Sequence, residues 1–135
     1  MIAFSLSHWC VLIASLLPIV CAGIAKVGMF GKRRRDGGFD NADPRAWLSR
    51  QTDWRARANA AQANSFESLP FFIGAVVIAG QLGADMARVD LLAAGFVLLR
   101  VVYIGLYLAN LAGLRTAVWT AGLLVNVAIL FTGYR

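Results

Sequence analysis

Four apolar stretches, at about residues 5–27, 64–82, 91–111 and 116–134, constrain this chain more than any other feature. Crossing about 30 Å of hydrocarbon takes roughly 20 helical residues, and each stretch has about that length. Composition points the same way. With 135 residues, 59% of them hydrophobic and only 15% charged, the chain has too little interior to hide its apolar surface from water. Backbone groups in lipid must satisfy one another, so the four spans are expected to be helices. The connections, such as "GQLGADMARVD" and "NLAGLR", leave no room for a separate soluble domain. The expectation is one all-α domain over 1–135, an integral membrane four-helix bundle. The first stretch lacks a basic lead-in and is too long for a signal peptide, so it is read as a retained span.

Charge sets the orientation. Lys26, Lys32, Arg33, Arg34, Arg35, Arg45, Arg50, Arg55 and Arg57 fall between the first two spans, and Arg115 lies between the last two. The loop between spans two and three carries only Arg88, beside Asp85 and Asp90. The positive-inside rule then places the 28–60 loop and Arg115 in the cytoplasm, with both termini on the opposite side. "GKRRRDGG" reads as a topology signal that also meets anionic membrane lipids. No interleaved aromatics or fold signature point to nucleic acid. Asp43 as N-cap and Pro44 at the first helical position predict that helix two begins there and runs into the membrane, with Pro70 kinking it near the entry. Gly31, Gly37 and Gly38 make the preceding loop flexible.

Cys10 and Cys21 share a face of the first span, too far apart for a disulfide and without metal-ligand company. They read as small buried apolar residues, His8 as an interfacial residue beside Trp9, and no metal site is expected.

The polar residues inside the spans are more informative. In "RANAAQANSFESLPFF" (57–72), Arg57, Asn64 and Glu67 fall on one side of a helix. In "LLRVVYIGLYLANL", Arg100, Tyr103 and Tyr107 share a face, and Asn110 continues it. A charge at mid-bilayer costs at least about 2.5–3.5 kcal/mol on insertion scales, so neither Glu67 nor Arg100 should face lipid. Two readings follow. One is an internal Glu67–Arg100 ion pair that holds the bundle in register. The other is a polar pocket, open to the cytoplasm, for a charged ligand. The stripes offer arginines for carboxylates, a carboxylate for an ammonium, an amide and two phenols. An amino acid or a small peptide carries the complementary groups.

At these residues the sequence resembles the MAPEG family, the membrane-associated proteins in eicosanoid and glutathione metabolism. The resemblance runs from about Trp54 onward, through "RANAAQANSFESLPFF", "RVVYIGLY" and "LRTAVW". It implies a homotrimer of four-helix bundles that binds glutathione between subunits near the cytoplasmic face and acts on a lipophilic small molecule. It implies glutathione contacts at Arg57, Asn64 and Glu67 on helix two and at Arg100, Tyr103 and Tyr107 on helix three. It further implies a contact at Lys26 at the end of helix one, and a thiol-facing catalytic role for Arg115, supported by Tyr107. Several family enzymes have arginine where this chain has Ala60, which removes one expected contact.

Three functions are consistent with this reading. The first is glutathione-dependent transferase or peroxidase chemistry on lipophilic electrophiles or peroxides. The second is a non-catalytic lipid- or partner-binding scaffold. The third is a small four-span antiporter with Glu67 as proton carrier, which leaves Arg100 unexplained.

Overall fold

The computed structural model describes residues 3–134. Four long helices carry the fold: α1 (Leu6–Lys26), α3 (Asp53–Gln81), α4 (Met86–Leu108) and α5 (Ala112–Phe131), with a short α2 (Pro44–Ser49) between the first two. All four are long and apolar enough to cross a membrane, as the apolar stretches predict. They run up and down in sequence. The pair α3–α4 forms the middle, α1 packs on both of its members, and α5 packs on both as well. Large apolar side chains such as Leu16, Ile19, Leu98 and Leu124 point outward, as lipid-facing residues do.

Small residues set the helix spacing. Ala14, Ala61, Ala75, Ala79 and Ala93 are fully or almost fully buried, so backbones approach closely where lipid offers no hydrophobic drive. Phe72 of α3 stacks on Phe96 of α4, with ring centroids 4.3 Å apart, and fills the centre. Gly122 of α5 sits against this pair, since a Cβ there would lie 3.7 Å from the Phe96 ring. Both cysteines are free and buried in α1.

Helix two does not begin where the capping signal placed it. Asp43 does cap a helix, accepting from the Ala46 amide at 3.3 Å, but that helix is α2 and ends at Ser49. Trp47 and Leu48 are buried beside Ala25 and Ala58, which anchors this turn against α1 and α3. The chain then reverses through Arg50–Thr52, and α3 starts at Asp53, which has a left-handed φ of 53°. A second correction concerns Asn110. It does not extend the helix-three stripe, because α4 ends at Leu108 and Asn110 takes the left-handed φ of 59°. The Leu111 amide bonds the Leu106 carbonyl across it, a helix-stopping turn that asparagine tolerates in place of glycine. Pro70 lies inside α3, whose helical run continues through it.

Two arginines of α3 terminate its neighbours. Arg55 Nη1 donates to the Ala25 carbonyl of α1 at 2.9 Å, and Arg57 Nε donates to the Leu108 carbonyl of α4 at 2.9 Å. Each places positive charge at a helix C-terminus, where the last carbonyls lack partners. At the other end of the bundle, Asp90 Oδ1 accepts from the Ser7 amide at 2.8 Å and so caps the N-terminus of α1. His8 works locally there, its Nδ1 accepting from the Ser5 amide at 3.0 Å. The caps from Arg55, Arg57 and Asp90 tie helix ends that sequence distance separates, and they link α1, α3 and α4 to one another.

Candidate functional site

Arg100 occupies the most demanding position in the bundle. It lies eight residues before the end of α4 and is only 4% exposed. Its Nη1 donates to Asn64 Oδ1 at 3.0 Å and its Nη2 to Ser65 Oγ at 3.0 Å, both on α3. The guanidinium lies over the Tyr103 ring, 4.2 Å from its centroid. Its Nε is buried with no partner among the described residues. The ion pair with Glu67, one of the two readings of the polar stripes, does not form. Among the described residues the ion pairs are Arg34–Asp40 and Arg88–Asp85, and Glu67 is exposed on the α3 surface. The reason is geometric. Glu67 is on the next turn of α3, while Asn64 and the small Ser65 face α4 directly. Arg100 is therefore a buried cation held by neutral groups.

A cavity of about 150 Å³ opens beside it, between α3, α4 and α5. Asn64, Glu67, Ser68, Arg100, Tyr103 and Asn126 supply its polar lining, and Phe71, Phe96, Leu99, Val118, Trp119 and Leu123 its apolar walls. A shallower cleft shares Asn64, Tyr103 and Trp119 with it and adds Arg115 and Thr116 from the start of α5. The Arg115 guanidinium sits 4.1 Å from the centroid of the Tyr107 ring, and Tyr107 meets Tyr103 edge-on at 5.7 Å. Arg100, Tyr103, Tyr107 and Arg115 thus form one continuous run of cation and ring.

Of the residues singled out by sequence, Asn64, Glu67, Arg100 and Tyr103 line one cavity, and Tyr107 and Arg115 adjoin it. Arg57 and Lys26 stand apart. Arg57 caps α4, and the Lys26 ammonium sits over the Phe39 ring at 4.5 Å; neither lines the cavity or the cleft. In a single protomer they are structural residues. Sequence reasoning passed over Ser65 and Asn126, along with Ser68 in the cavity lining. Ser65 lies beside Asn64 and reads as one more small residue in an alanine-rich stretch. Asn126 had a usable signal, as a lone amide in the apolar run "GLLVNVAIL", where a polar side chain is costly and needs a reason.

The arrangement has clear chemical capacities. A buried guanidinium without a carboxylate favours an incoming anion. The exposed Glu67 carboxylate at the rim complements a cation. Arg115, partly buried at the N-terminal turn of α5, adds fixed positive charge to the helix dipole at the cleft. The apolar walls suit a lipophilic body. Searches among curated proteins and among solved structures give no match. A family model, that of the MAPEG family, matches residues 6–134, nearly the whole chain. With four apolar helices in up-and-down order and a polar site between α3, α4 and α5, this integral membrane chain belongs to the MAPEG family.

Proposed function

We propose that the protein is a glutathione-dependent membrane enzyme of the transferase or peroxidase type, acting on a lipophilic electrophile or peroxide. One observation carries this reading. Arg100 is buried without a countercharge, in a cavity that opens next to Arg115. A ligand with a carboxylate to offset Arg100, an ammonium for Glu67 and a sulfur near Arg115 supplies what the site lacks. Glutathione carries all three. In this reading Arg115 and Tyr107 act on the thiol, while Asn64, Glu67, Arg100 and Tyr103 hold the peptide. Lys26 and Arg57 reach the ligand only if a neighbouring subunit contributes a second wall, as in a homotrimer. In this reading the site faces the cytoplasm, the side that the basic 28–60 loop and Arg115 favour by the positive-inside rule.

A non-catalytic scaffold is the second reading, and a specific observation favours it. Arg57 and Lys26 are engaged in capping and ring contacts, and Ala60 offers no polar group. The deciding experiment is a titration of the detergent-purified protein with glutathione, followed by thiolate difference absorbance in the far ultraviolet. Appearance of a saturable thiolate band at neutral pH supports the enzyme. Binding with no such band supports the scaffold.

A further inference from the structure

The segment between α1 and α3 has a small core of its own. Phe39 sits at its centre, with the Lys26 ammonium over its ring at 4.5 Å, Phe30 edge-on at 5.4 Å and Trp47 edge-on at 5.2 Å. The Phe39 amide donates to the Met29 carbonyl at 3.1 Å, and the Trp47 indole donates to the Gly37 carbonyl at 3.3 Å. Gly37 takes a left-handed φ of 83°, and a Cβ on the buried Gly38 would run into the Lys32 carbonyl. These two glycines therefore serve a tight turn, where the sequence suggested only flexibility.

This small core lies at the level of the end of α1. Arg55 donates to the Ala25 carbonyl at 2.9 Å, and Trp47 and Leu48 pack with Ala25 and Ala58. Lys26 ends a helix of 21 residues, about the length that crosses the hydrocarbon, so this level is the membrane–water boundary. The exposed Val27 and Phe30 belong to the same boundary.

A cleft of about 280 Å³ opens here, lined by the Gly37–Gly38 turn, by Trp47 and by Arg34, Asp40 and Arg50. Asp40 Oδ1 holds Arg34 Nε at 3.1 Å, and a guanidinium with several N–H donors keeps capacity for a further acceptor. Arg50 is exposed at the end of α2 and makes no ion pair or side-chain hydrogen bond to any described residue. Two guanidiniums against one carboxylate leave the cleft positive.

We infer that this cleft holds the phosphate of one anionic phospholipid, with Arg50 and Arg34 as donors and the acyl chains in the bilayer. A guanidinium meets phosphate oxygens through two parallel hydrogen bonds, and both arginines face the same cleft. The level of the cleft selects the lipid as the source, because headgroup phosphates lie at that boundary. The site is narrower than a general attraction of the basic run, since Lys32, Arg33 and Arg35 lie outside the cleft. It depends on the membrane-spanning fold and is independent of glutathione.

The test presents the detergent-purified protein with phosphatidylglycerol and phosphatidylcholine of the same acyl chains, and counts bound lipids by native mass spectrometry. The wild type should saturate at one phosphatidylglycerol per chain and prefer it about fivefold, the contribution of one basic residue at a membrane surface. Arg50→Gln should remove most of that preference. Arg45→Gln removes the same charge from the same segment but outside the cleft, and should leave the preference within about twofold. Both arginines are exposed, so both variants should unfold at the wild-type temperature. Glycerol 3-phosphate added in equal amount should not displace the lipid. Equal losses in the two variants would overturn the inference, because they mark diffuse attraction. So would equal binding of the two lipids. Competition by glycerol 3-phosphate on equal terms would also overturn it, by making the cleft a site for soluble phosphate esters. None of these results alters the thiolate band, so the lipid site and the glutathione reading stand or fall separately.

Discussion

Arg100 reaches from α4 to α3 and donates to Asn64 Oδ1 at 3.0 Å, and this bond between two side chains joins the middle helices at the level of the cavity. The partner is an amide and not a carboxylate. The bond therefore orders the guanidinium without neutralising it, which leaves the charge available to a ligand.

Stability should reflect this pairing. Asn64→Leu removes one of two hydrogen-bond acceptors from a buried cation and should cost about 1–3 kcal/mol. Arg100→Met removes the charge together with its need for partners, and it should be tolerated or stabilising while abolishing anion binding. Glu67→Gln should leave the unfolding temperature unchanged within error, because Glu67 is exposed and forms no ion pair with Arg100. Thermal unfolding in detergent measures all three. A large loss from Glu67→Gln would restore the ion pair that the geometry excludes.

Much of this was legible in the sequence, and the physical reasons divide cleanly. A run of some 20 apolar residues fixes a helix by length alone, so α1, α3, α4 and α5 could be read directly. Helical periodicity brought Asn64 and Arg100 to facing stripes. What failed depended on tertiary contact. The Asp43–Pro44 start was correct as a local capping signal, yet the burial of Trp47 and Leu48 makes that helix a separate element. Arg55 and Arg57 read as basic residues at the entry to helix two. Within the protomer they also cap α1 and α4, which no periodicity reveals because the partners are 30 and 51 residues away. Charge alone allows Glu67 to pair with Arg100, whereas the helix turn gives that place to Asn64 and Ser65.

The caps make a prediction of their own. Arg57→Met frees the Leu108 carbonyl at the end of α4 and should cost about 1 kcal/mol, in line with other charge–helix-end contacts. Hydrogen exchange should rise over residues 105–111 and stay unchanged over α1. Arg55→Met should do the reverse, loosening the end of α1 near Ala25. Equal exchange in both variants would mean that the arginines do not act as separate clamps.

Orientation follows from the lysine and arginine distribution. A reporter fused at Gly37 is expected to score cytoplasmic and one at Ala84 external. These positions lie on opposite ends of the bundle, in the loops before α2 and before α4. Reversal at both sites would turn the cavity mouth beside Arg115 to the other side and remove its access to cytosolic glutathione.

The sharpest prediction concerns Arg115 and the pH dependence of turnover. A free thiol of the cysteine type has a pKa of about 8.5, so only a few per cent is thiolate at neutral pH. A guanidinium beside the sulfur stabilises the charged form and cannot lose its own proton, which lowers the thiol's pKa in the complex. Arg115 is suited to this because the Tyr107 ring fixes it at 4.1 Å and the N-terminus of α5 adds partial positive charge. With the pKa lowered, the wild-type rate should be nearly flat from neutral pH upward. In Arg115→Ala the thiol returns toward its ordinary value, so the rate should fall at neutral pH and rise about tenfold per pH unit until it levels near pH 8.5. Glutathione affinity should change little, because Arg100, Asn64 and Glu67 hold the peptide. Tyr107→Phe keeps the ring beneath Arg115 and tests the hydroxyl separately. A smaller loss with the same pH profile assigns the phenol an auxiliary hydrogen bond to sulfur. If Arg115→Ala keeps the wild-type profile, Arg115 only anchors α5 at the membrane surface and another group activates the thiol, whereas a wild type without turnover or thiolate is the result that favours the scaffold.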